Sequence, residues 1–150
     1  MYINFFKESI KETFEDMYSE VITLVDETIA PKSIISQGVS VIIGITGERK
    51  GRVMLDMSIS TSIELAARLD PELREEDLSL FAMSEFCNIV SGGAITNINN
   101  QNKQSRLRLV SPSIFTGVNT EIIAPNLNTI KLSYCTEFGI IDLYVGFEGA

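Results

Sequence analysis

The sequence of 150 residues contains no histidine, no tryptophan and only two cysteines. Histidine is the commonest general base and the commonest metal ligand, so its absence excludes Ser-His-Asp chemistry, Cys-His chemistry and most zinc sites. Cys87 and Cys135 are too few for a disulfide framework and lack metal-binding spacing. Both cysteines fall in apolar patterns and are predicted to be small core residues.

Long hydrophobic runs are also missing. No segment approaches the roughly 18 consecutive apolar residues of a membrane-spanning helix. The first eight residues, MYINFFKE, lack the basic and apolar regions of a signal peptide. We therefore expect a cytoplasmic protein without a membrane contact.

Positive charge is scarce in this sequence. Twelve Lys and Arg residues are set against 20 Asp and Glu residues, which gives a formal net charge of −8. Because nucleic-acid binding needs a basic surface, this composition argues against a nucleic-acid partner. Two short basic clusters are interpreted as solvated charges near turns, although they would offset repulsion if a partner were acidic. They are Arg49, Lys50 and Arg52, and Lys103, Arg106 and Arg108.

Length and hydrophobic periodicity predict one domain over residues 1–150 that begins with helix. The Asn-rich stretch 97–102 is expected to end the long central helix predicted over residues 77–96, because asparagine favours turns and loops. Apolar residues at helical spacing predict three helices. These run from Asn4 to about Thr28, from Ser60 or Thr61 to about Leu69, and over residues 77–96.

Alternating apolar and polar residues predict two hairpins and one further strand. The hairpins cover residues 38–57 and 129–147, and the further strand starts at Arg106 and continues towards Phe115. The order helix, hairpin, short helix, helix, strand, hairpin indicates an imperfect internal duplication. The predicted fold class is therefore α+β, with two long helices packed on a largely antiparallel sheet in pseudo-duplicated helix-plus-hairpin units.

The central helix divides into an apolar arc and a polar arc at about 100° per residue. Glu85 and Asn88 lie three residues apart on the polar arc, so their side chains point the same way. Gly92, one turn after Asn88, would let another backbone come close. The polar arc contains Ser84, Glu85, Asn88, Ser91 and Gly92 with Phe81 beside it, and the apolar arc contains Leu80, Met83, Phe86, Cys87, Val90 and Ala94.

A Glu-x-x-Asn pair on a solvated helix face is common by chance. The adjacent Gly92 and Gly93 favour a functional interpretation, because each costs a helix about 1 kcal/mol relative to alanine. That cost needs compensation in packing or in function.

The segment 84–94, SEFCNIVSGGA, resembles the signature helix of the CheX/CheC/FliY phosphatases of bacterial chemotaxis, which has Glu-x-x-Asn and a Gly four residues later. Segments 38–47, 51–55 and 111–117 are similar to strands of CheX-like chains, and the resemblance extends over about residues 5–148. It implies a CheC-like fold. It also implies a phosphatase that accelerates hydrolysis of the aspartyl phosphate of a CheY-like response regulator.

The resemblance implies that Asn88 orients the attacking water and that Glu85 pairs with the regulator's lysine. Gly92 would permit close approach, and Phe81 and Ser84 would belong to the partner-binding surface. No cofactor of the chain's own is expected, since the partner regulator would bind Mg²⁺. An acid and an amide without a nucleophile suit this role, because phosphoryl transfer responds chiefly to positioning and electrostatics. The first helix has no asparagine after its start, so one site is expected.

Phe81 departs from the family, which often has Asp or Ser four residues before the Glu. This departure leaves open a non-catalytic CheX-like adaptor that binds a response regulator or a flagellar switch protein. An unrelated α+β interaction domain, with Glu85 and Asn88 as ordinary surface, also stays open. The apolar strand 140–147 is expected to lie at a sheet edge and to be covered in a homodimer, to which the resemblance also points.

Overall fold

The structure, a computed structural model, describes residues 2–123 and 127–149. These residues form three α-helices, one short 3-10 helix at Pro71–Arg74 and nine β-strands. The helices are α1 (Ile3–Tyr18), α2 (Ile59–Leu69) and α3 (Glu76–Gln101). The strands are β1 (Thr23–Ile29), β2 (Ser33–Ile35), β3 (Val39–Thr46), β4 (Gly51–Met57), β5 (Arg108–Leu109), β6 (Ser113–Thr116), β7 (Glu121–Ile123), β8 (Asn128–Thr136) and β9 (Gly139–Phe147).

Seven strands form one antiparallel sheet in the order β1-β8-β9-β4-β3-β5, and β6 also pairs with β3. The helices pack on one face, where alternate strand residues such as Val41, Leu55 and Leu143 join the main core. The small β2–β7 sheet covers part of the opposite face, where Ile34 and Met54 form a second apolar cluster with Ile122 and Tyr144. The predicted α+β fold is confirmed.

The sheet shows how the two similar halves of the chain are joined. Strand β1 of the first half pairs with β8 of the second, and β6 of the second half pairs with β3 of the first. Strands β2 and β7 pair with each other. Each half therefore supplies an edge strand to the other half's hairpin, which the predicted helix-plus-hairpin duplication did not include.

The predicted first helix is wrong beyond Tyr18. There Ser19 adopts a left-handed conformation (φ 52°), and its N–H and that of Glu20 donate to the carbonyls of Glu15 and Phe14. The chain then continues as β1, because its β-branched residues favour an extended strand. Asn4 is not the N-cap either, since α1 begins at Ile3.

The Asn-rich stretch does not end the central helix at Thr96, because α3 continues to Gln101. Ile98 is buried, and the side chain of Asn99 bonds the backbone of Leu107 in both directions. Asn99 Nδ2 donates to the Leu107 carbonyl at 3.0 Å, and the Leu107 N–H donates to Asn99 Oδ1 at 2.9 Å. Tertiary contacts thus override the turn preference of asparagine.

The first hairpin and the second helix follow the prediction closely. Strands β3 and β4 pair from Val39–Met57 to Ile45–Gly51. Helix α2 begins slightly earlier than expected, because Ser58 is its N-cap and its Oγ accepts from the Thr61 N–H at 3.1 Å.

The apolar strand at the end of the chain is not an edge strand. Strand β9 lies between β8 and β4 in the middle of the sheet, and its residues from Ile141 to Phe147 are buried. Its hydrophobic character is explained by burial on both faces within one chain. It therefore gives no support to the predicted homodimer.

The loop between β2 and β3 is anchored on a buried acid, Asp56 of β4. Asp56 is fully buried and accepts from Ser36 Oγ at 2.7 Å, the Gln37 N–H at 2.9 Å and Ser40 Oγ at 2.7 Å. Across the β4–β9 pair it faces Asp142. Burial raises the pKa of Asp142, and the hydroxyl of its partner Ser133 lowers it.

Helix α3 is long and apolar enough to cross a membrane by length and composition alone. Its apolar side packs in the core of the domain, with Met83, Phe86 and Val90 buried. A core helix of this kind passes the same compositional test, so the finding gives little support to a membrane span.

Candidate functional site

The exposed side of α3 carries the five residues singled out from the sequence. Glu85 is exposed, Phe81 is 70% exposed, and Ser84, Asn88 and Gly92 are half-buried. We call this surface the α3 ridge: Phe81, Ser84, Glu85, Asn88 and Gly92. Ser91, which was placed on the same arc, is buried instead and lies outside the ridge.

The opposite side of α3 fixes the direction of the ridge. Phe86 is buried, and its ring lies against the rings of Phe14 at 5.2 Å and Tyr18 at 6.1 Å. Because Glu85 and Phe86 are neighbours about 100° apart on the helix, locking Phe86 in the core keeps Glu85 at the surface. The buried residues of the predicted apolar arc are Met83, Phe86, Cys87, Val90 and Ala94, with Leu80 partly buried.

The two glycines of α3 serve different purposes. Gly93 faces α1, where an added Cβ would come within 2.6 Å of Ser9 Oγ, and that hydroxyl donates to the Val90 carbonyl at 2.6 Å. Gly92 faces open space, with no atom within 4 Å of an added Cβ. Packing therefore explains why residue 93 is a glycine, whereas no contact among the described residues requires a glycine at position 92.

The ridge presents hydrogen-bonding groups that are free to meet another molecule. Within residues 2–123 and 127–149, the side chains of Glu85 and Asn88 make no hydrogen bond or ion pair with the rest of the chain. A carboxylate accepts hydrogen bonds and pairs with cations, whereas a carboxamide both donates and accepts. The pair can thus bind a cation and hold a water molecule side by side.

Neither cysteine adds a nucleophile to this surface. Burial raises the pKa of the Cys87 thiol to about 12, so Cys87 stays protonated and inert inside the core. Cys135 is exposed on β8, so its predicted place in the core is wrong. No group of acidic or cysteine residues in the described part of the chain could hold a metal ion.

The two segments that carry the basic clusters lie side by side away from the ridge, although Arg49 and Arg52 themselves donate to the carbonyls of Glu148 and Ile123. The Glu48 N–H of the β3–β4 turn donates to the Ser105 carbonyl at 2.9 Å, and Thr46 pairs with Arg108. This corner follows the C-terminal end of α3, whereas Asn88 lies near its middle. The basic residues therefore do not contribute to the ridge.

Two apolar residues next to the ridge were missed from the sequence. Leu78 and Ile89 are 38% and 40% exposed, although both are large hydrophobic residues on a core helix. Their positions seven residues before and four residues after Glu85 carried a usable signal, because those spacings share a helix face with Glu85.

The family model described as chemotaxis phosphatase CheX matches residues 39–135 of this chain. A comparison of the sequence with curated proteins found no match.

Three solved structures share the fold over nearly their whole length. A chemotaxis protein CheX from Desulfovibrio desulfuricans is 16% identical, with 98% of this chain and 99% of that chain covered and a TM-score of 0.86. A CheC-like superfamily protein from a Shewanella species is 20% identical, with coverages of 99% and 97% and a TM-score of 0.85. The CheX–CheY–BeF3–Mg²⁺ complex from Borrelia burgdorferi contains a chain with 21% identity, coverages of 99% and 99% and a TM-score of 0.83.

Proposed function

This chain belongs to the chemotaxis phosphatase CheX family, and from that membership we propose that it accelerates hydrolysis of the aspartyl phosphate on a CheY-like response regulator. Asn88 orients the attacking water in this proposal, and Glu85 anchors the regulator's lysine. Phe81, Ser84 and Gly92 belong to the partner-binding surface. The chain would act in the cytoplasm, where the response regulator is found.

One observation carries the proposal: an acid and an amide that pair with no described residue project together from the exposed side of α3, beside open space at Gly92. The thiol of this helix cannot form a covalent intermediate, because Cys87 is buried and protonated at neutral pH. Such a surface suits the completion of an active site on another molecule. A similar fold occurs in a complex with CheY, BeF3 and Mg²⁺ in Borrelia burgdorferi.

The proposed mechanism divides the work between the two molecules. The regulator supplies the phosphorylated carboxylate and its Mg²⁺, and the metal neutralises charge on the phosphoryl group. This chain supplies position: the Asn88 carbonyl oxygen accepts from the water and aims it at phosphorus. A carboxamide does this without a perturbed pKa, so the step does not require a histidine. Glu85, paired with a lysine, fixes the two proteins in the register that the water needs.

The direct test compares phosphate loss from a phosphorylated CheY-like regulator with and without this protein. Faster loss at substoichiometric protein supports catalysis. An unchanged rate would exclude it.

A second candidate function is a non-catalytic adaptor that binds a regulator or switch protein. The 70% exposed ring of Phe81 favours it, because Phe81 shares its side of the helix with the exposed Leu78 and Ile89, and a contiguous apolar patch marks a binding surface. Binding of the phosphorylated regulator without faster hydrolysis would select the adaptor.

Gly92→Ala is expected to stabilise the protein while weakening its function. The free energy of unfolding should rise by up to about 1 kcal/mol, because alanine favours helix and its Cβ meets no atom. The same methyl group should reduce regulator affinity by blocking close approach. Denaturant unfolding and binding assays measure the two effects. In Gly93→Ala the new Cβ would disturb Ser9, so we expect no such gain in stability. The affinity of Gly93→Ala for the regulator should be normal. A Gly92→Ala protein with full affinity would contradict the role of Gly92.

The homodimer also remains a proposal, now placed at β1 rather than at the last hairpin. Strand β1 is an edge strand, all seven of its residues are exposed, and Val25 and Ile29 are 55% and 82% exposed. An open apolar edge is a template for pairing with a second copy. Val25→Lys with Ile29→Lys should therefore convert a dimer to a monomer in light scattering, whereas Val118→Lys should not. A wild-type mass that is monomeric at all concentrations would refute the dimer.

A further inference from the structure

Three exposed apolar side chains lie around Glu85 on α3. They are Leu78 two turns before it, Phe81 one turn before it and Ile89 one turn after it. At 100° per residue all three lie within about 40° of Glu85 around the helix axis. We call these three residues the apolar collar. The collar is continuous with the α3 ridge, since Phe81 belongs to both.

No position in α3 supplies a cation to this surface, because residues 76–101 contain neither lysine nor arginine. The lysines of helix α1, which packs beside α3, contact other parts of the chain. Lys7 pairs with Glu27 of β1 at 2.5 Å, and Lys11 lines a hollow with Val21 and Leu24.

The side of α1 next to α3 is acidic instead. Ser9 contacts Val90 and Gly93 of α3, and Phe14 contacts Phe86, so the two helices run antiparallel. Glu12 and Asp16 share the Ser9 side of α1 by helical spacing, and both are exposed. Because no ion pair among the described residues involves Glu85 and the facing side of α1 carries carboxylates, we expect the cation that pairs with Glu85 to come from a partner.

A collar of this kind changes the strength of an ion pair. A solvent-exposed ion pair contributes about 0–1 kcal/mol, because water screens it. Apolar groups that close around the pair exclude water, and well-packed residues at the centre of an interface dominate affinity. Glu85 alone would therefore be a weak anchor, whereas Glu85 inside the collar is a strong one.

We propose that Leu78, Phe81 and Ile89 close around the ion pair of Glu85 and determine which response regulators bind. The inference rests on the proposed function and names the surface that the partner must present: one cationic side chain bordered by apolar residues. Through Phe81 this chain recognises its partner by an apolar contact. A regulator with a polar border around its lysine is a poor partner.

The test measures affinity and turnover separately in the variant Leu78→Ser, Phe81→Ser and Ile89→Ser. The binding probe is a CheY-like regulator loaded with beryllium fluoride and Mg²⁺, studied by calorimetry at several temperatures. We expect Kd to rise by roughly ten-fold or more and the heat-capacity change of binding to become less negative. KM for the phosphorylated regulator should rise in parallel, and kcat at saturation should stay near the wild-type value.

The matched control is Val110→Ser, Phe115→Ser and Val118→Ser, which removes comparably exposed apolar groups from the region of β5 and β6. It should leave Kd, KM and heat capacity unchanged. An unaltered Kd and heat capacity in the collar variant would overturn the inference. Failure of the proposed function gives a different result: the wild-type protein binds the loaded regulator but does not hasten loss of phosphate.

Discussion

Asn88→Ala is expected to lower kcat for regulator dephosphorylation by about 10²–10³-fold, the loss typical when one fixed hydrogen-bonding group is removed from a transition state. Among residues 2–123 and 127–149 the side chain makes no hydrogen bond that its removal would break, so folding should be little affected. Regulator affinity should largely survive, because the role proposed for Asn88 is to hold the water rather than to bind the partner. Single-turnover phosphate release at saturating protein measures the effect.

Two comparison variants make this result specific. Asn97→Ala removes an exposed asparagine from the same helix and should keep full activity. Glu85→Ala should lower turnover and raise KM together, because it removes the anchor that both binding and alignment need. Unchanged turnover in Asn88→Ala would discard the water-positioning mechanism, whatever the behaviour of Glu85→Ala.

Asp56→Ala is expected to destabilise the protein by about 3 kcal/mol, because the buried hydroxyl of Ser36 and the half-buried Gln37 N–H lose their acceptor, and each unsatisfied group costs about 1–3 kcal/mol. Ser40 Oγ also loses its bond to Asp56 but keeps Ser36 Oγ as an acceptor at 2.9 Å. The variant also loses the repulsion between Asp56 and Asp142. Losing this repulsion would stabilise the protein, but by less than the lost hydrogen bonds destabilise it. Burial, rather than Asp56, is the main cause of the raised pKa of Asp142. The midpoint of thermal unfolding should fall by roughly 6–12 °C.

The isosteric Asp56→Asn serves as the control for Asp56→Ala. It keeps one acceptor oxygen and the side-chain volume, so its loss of stability should be clearly smaller. Both variants should retain the wild-type kcat at temperatures where they are folded, because Asp56 anchors the β2–β3 loop to β4 and lies outside the α3 ridge. An unfolding midpoint equal to that of wild type in Asp56→Ala would show that the loop is held by other contacts.

The orientation of the candidate site could be predicted from the sequence because it depends on local spacing. Helical periodicity alone placed Glu85 and Asn88 opposite Phe86 and Val90, and the structure has this arrangement. Ser91 was misplaced because it lies near the boundary between the two arcs, where a small polar residue gives no clear signal. Leu78 and Ile89 were missed because they were placed on neither arc, although their helical spacing puts them on the same side as Glu85.

Features that depend on distant contacts could not be predicted. Helix α3 continues through Asn99 because the side chain of Asn99 bonds the backbone of Leu107, and no local sequence pattern predicts that contact. The segment 23–29 contains enough apolar residues at helical spacing to imitate a continuation of α1. Its conformation is decided by the turn at Ser19 and by pairing with β8. Strand β9 was judged by its position at the end of the chain, although pairing places it in the middle of the sheet.

The exchange of edge strands has a consequence for how this molecule reaches its native state. Hydrogen bonds must join residues as distant in sequence as Thr23 and Cys135 before either hairpin has its full set of neighbours. Such non-local pairing makes folding slow and cooperative, since the entropy of closing long loops is lost before the contacts are gained. The α3 ridge is therefore a property of the whole domain, and neither helix-plus-hairpin unit could present it in this form by itself.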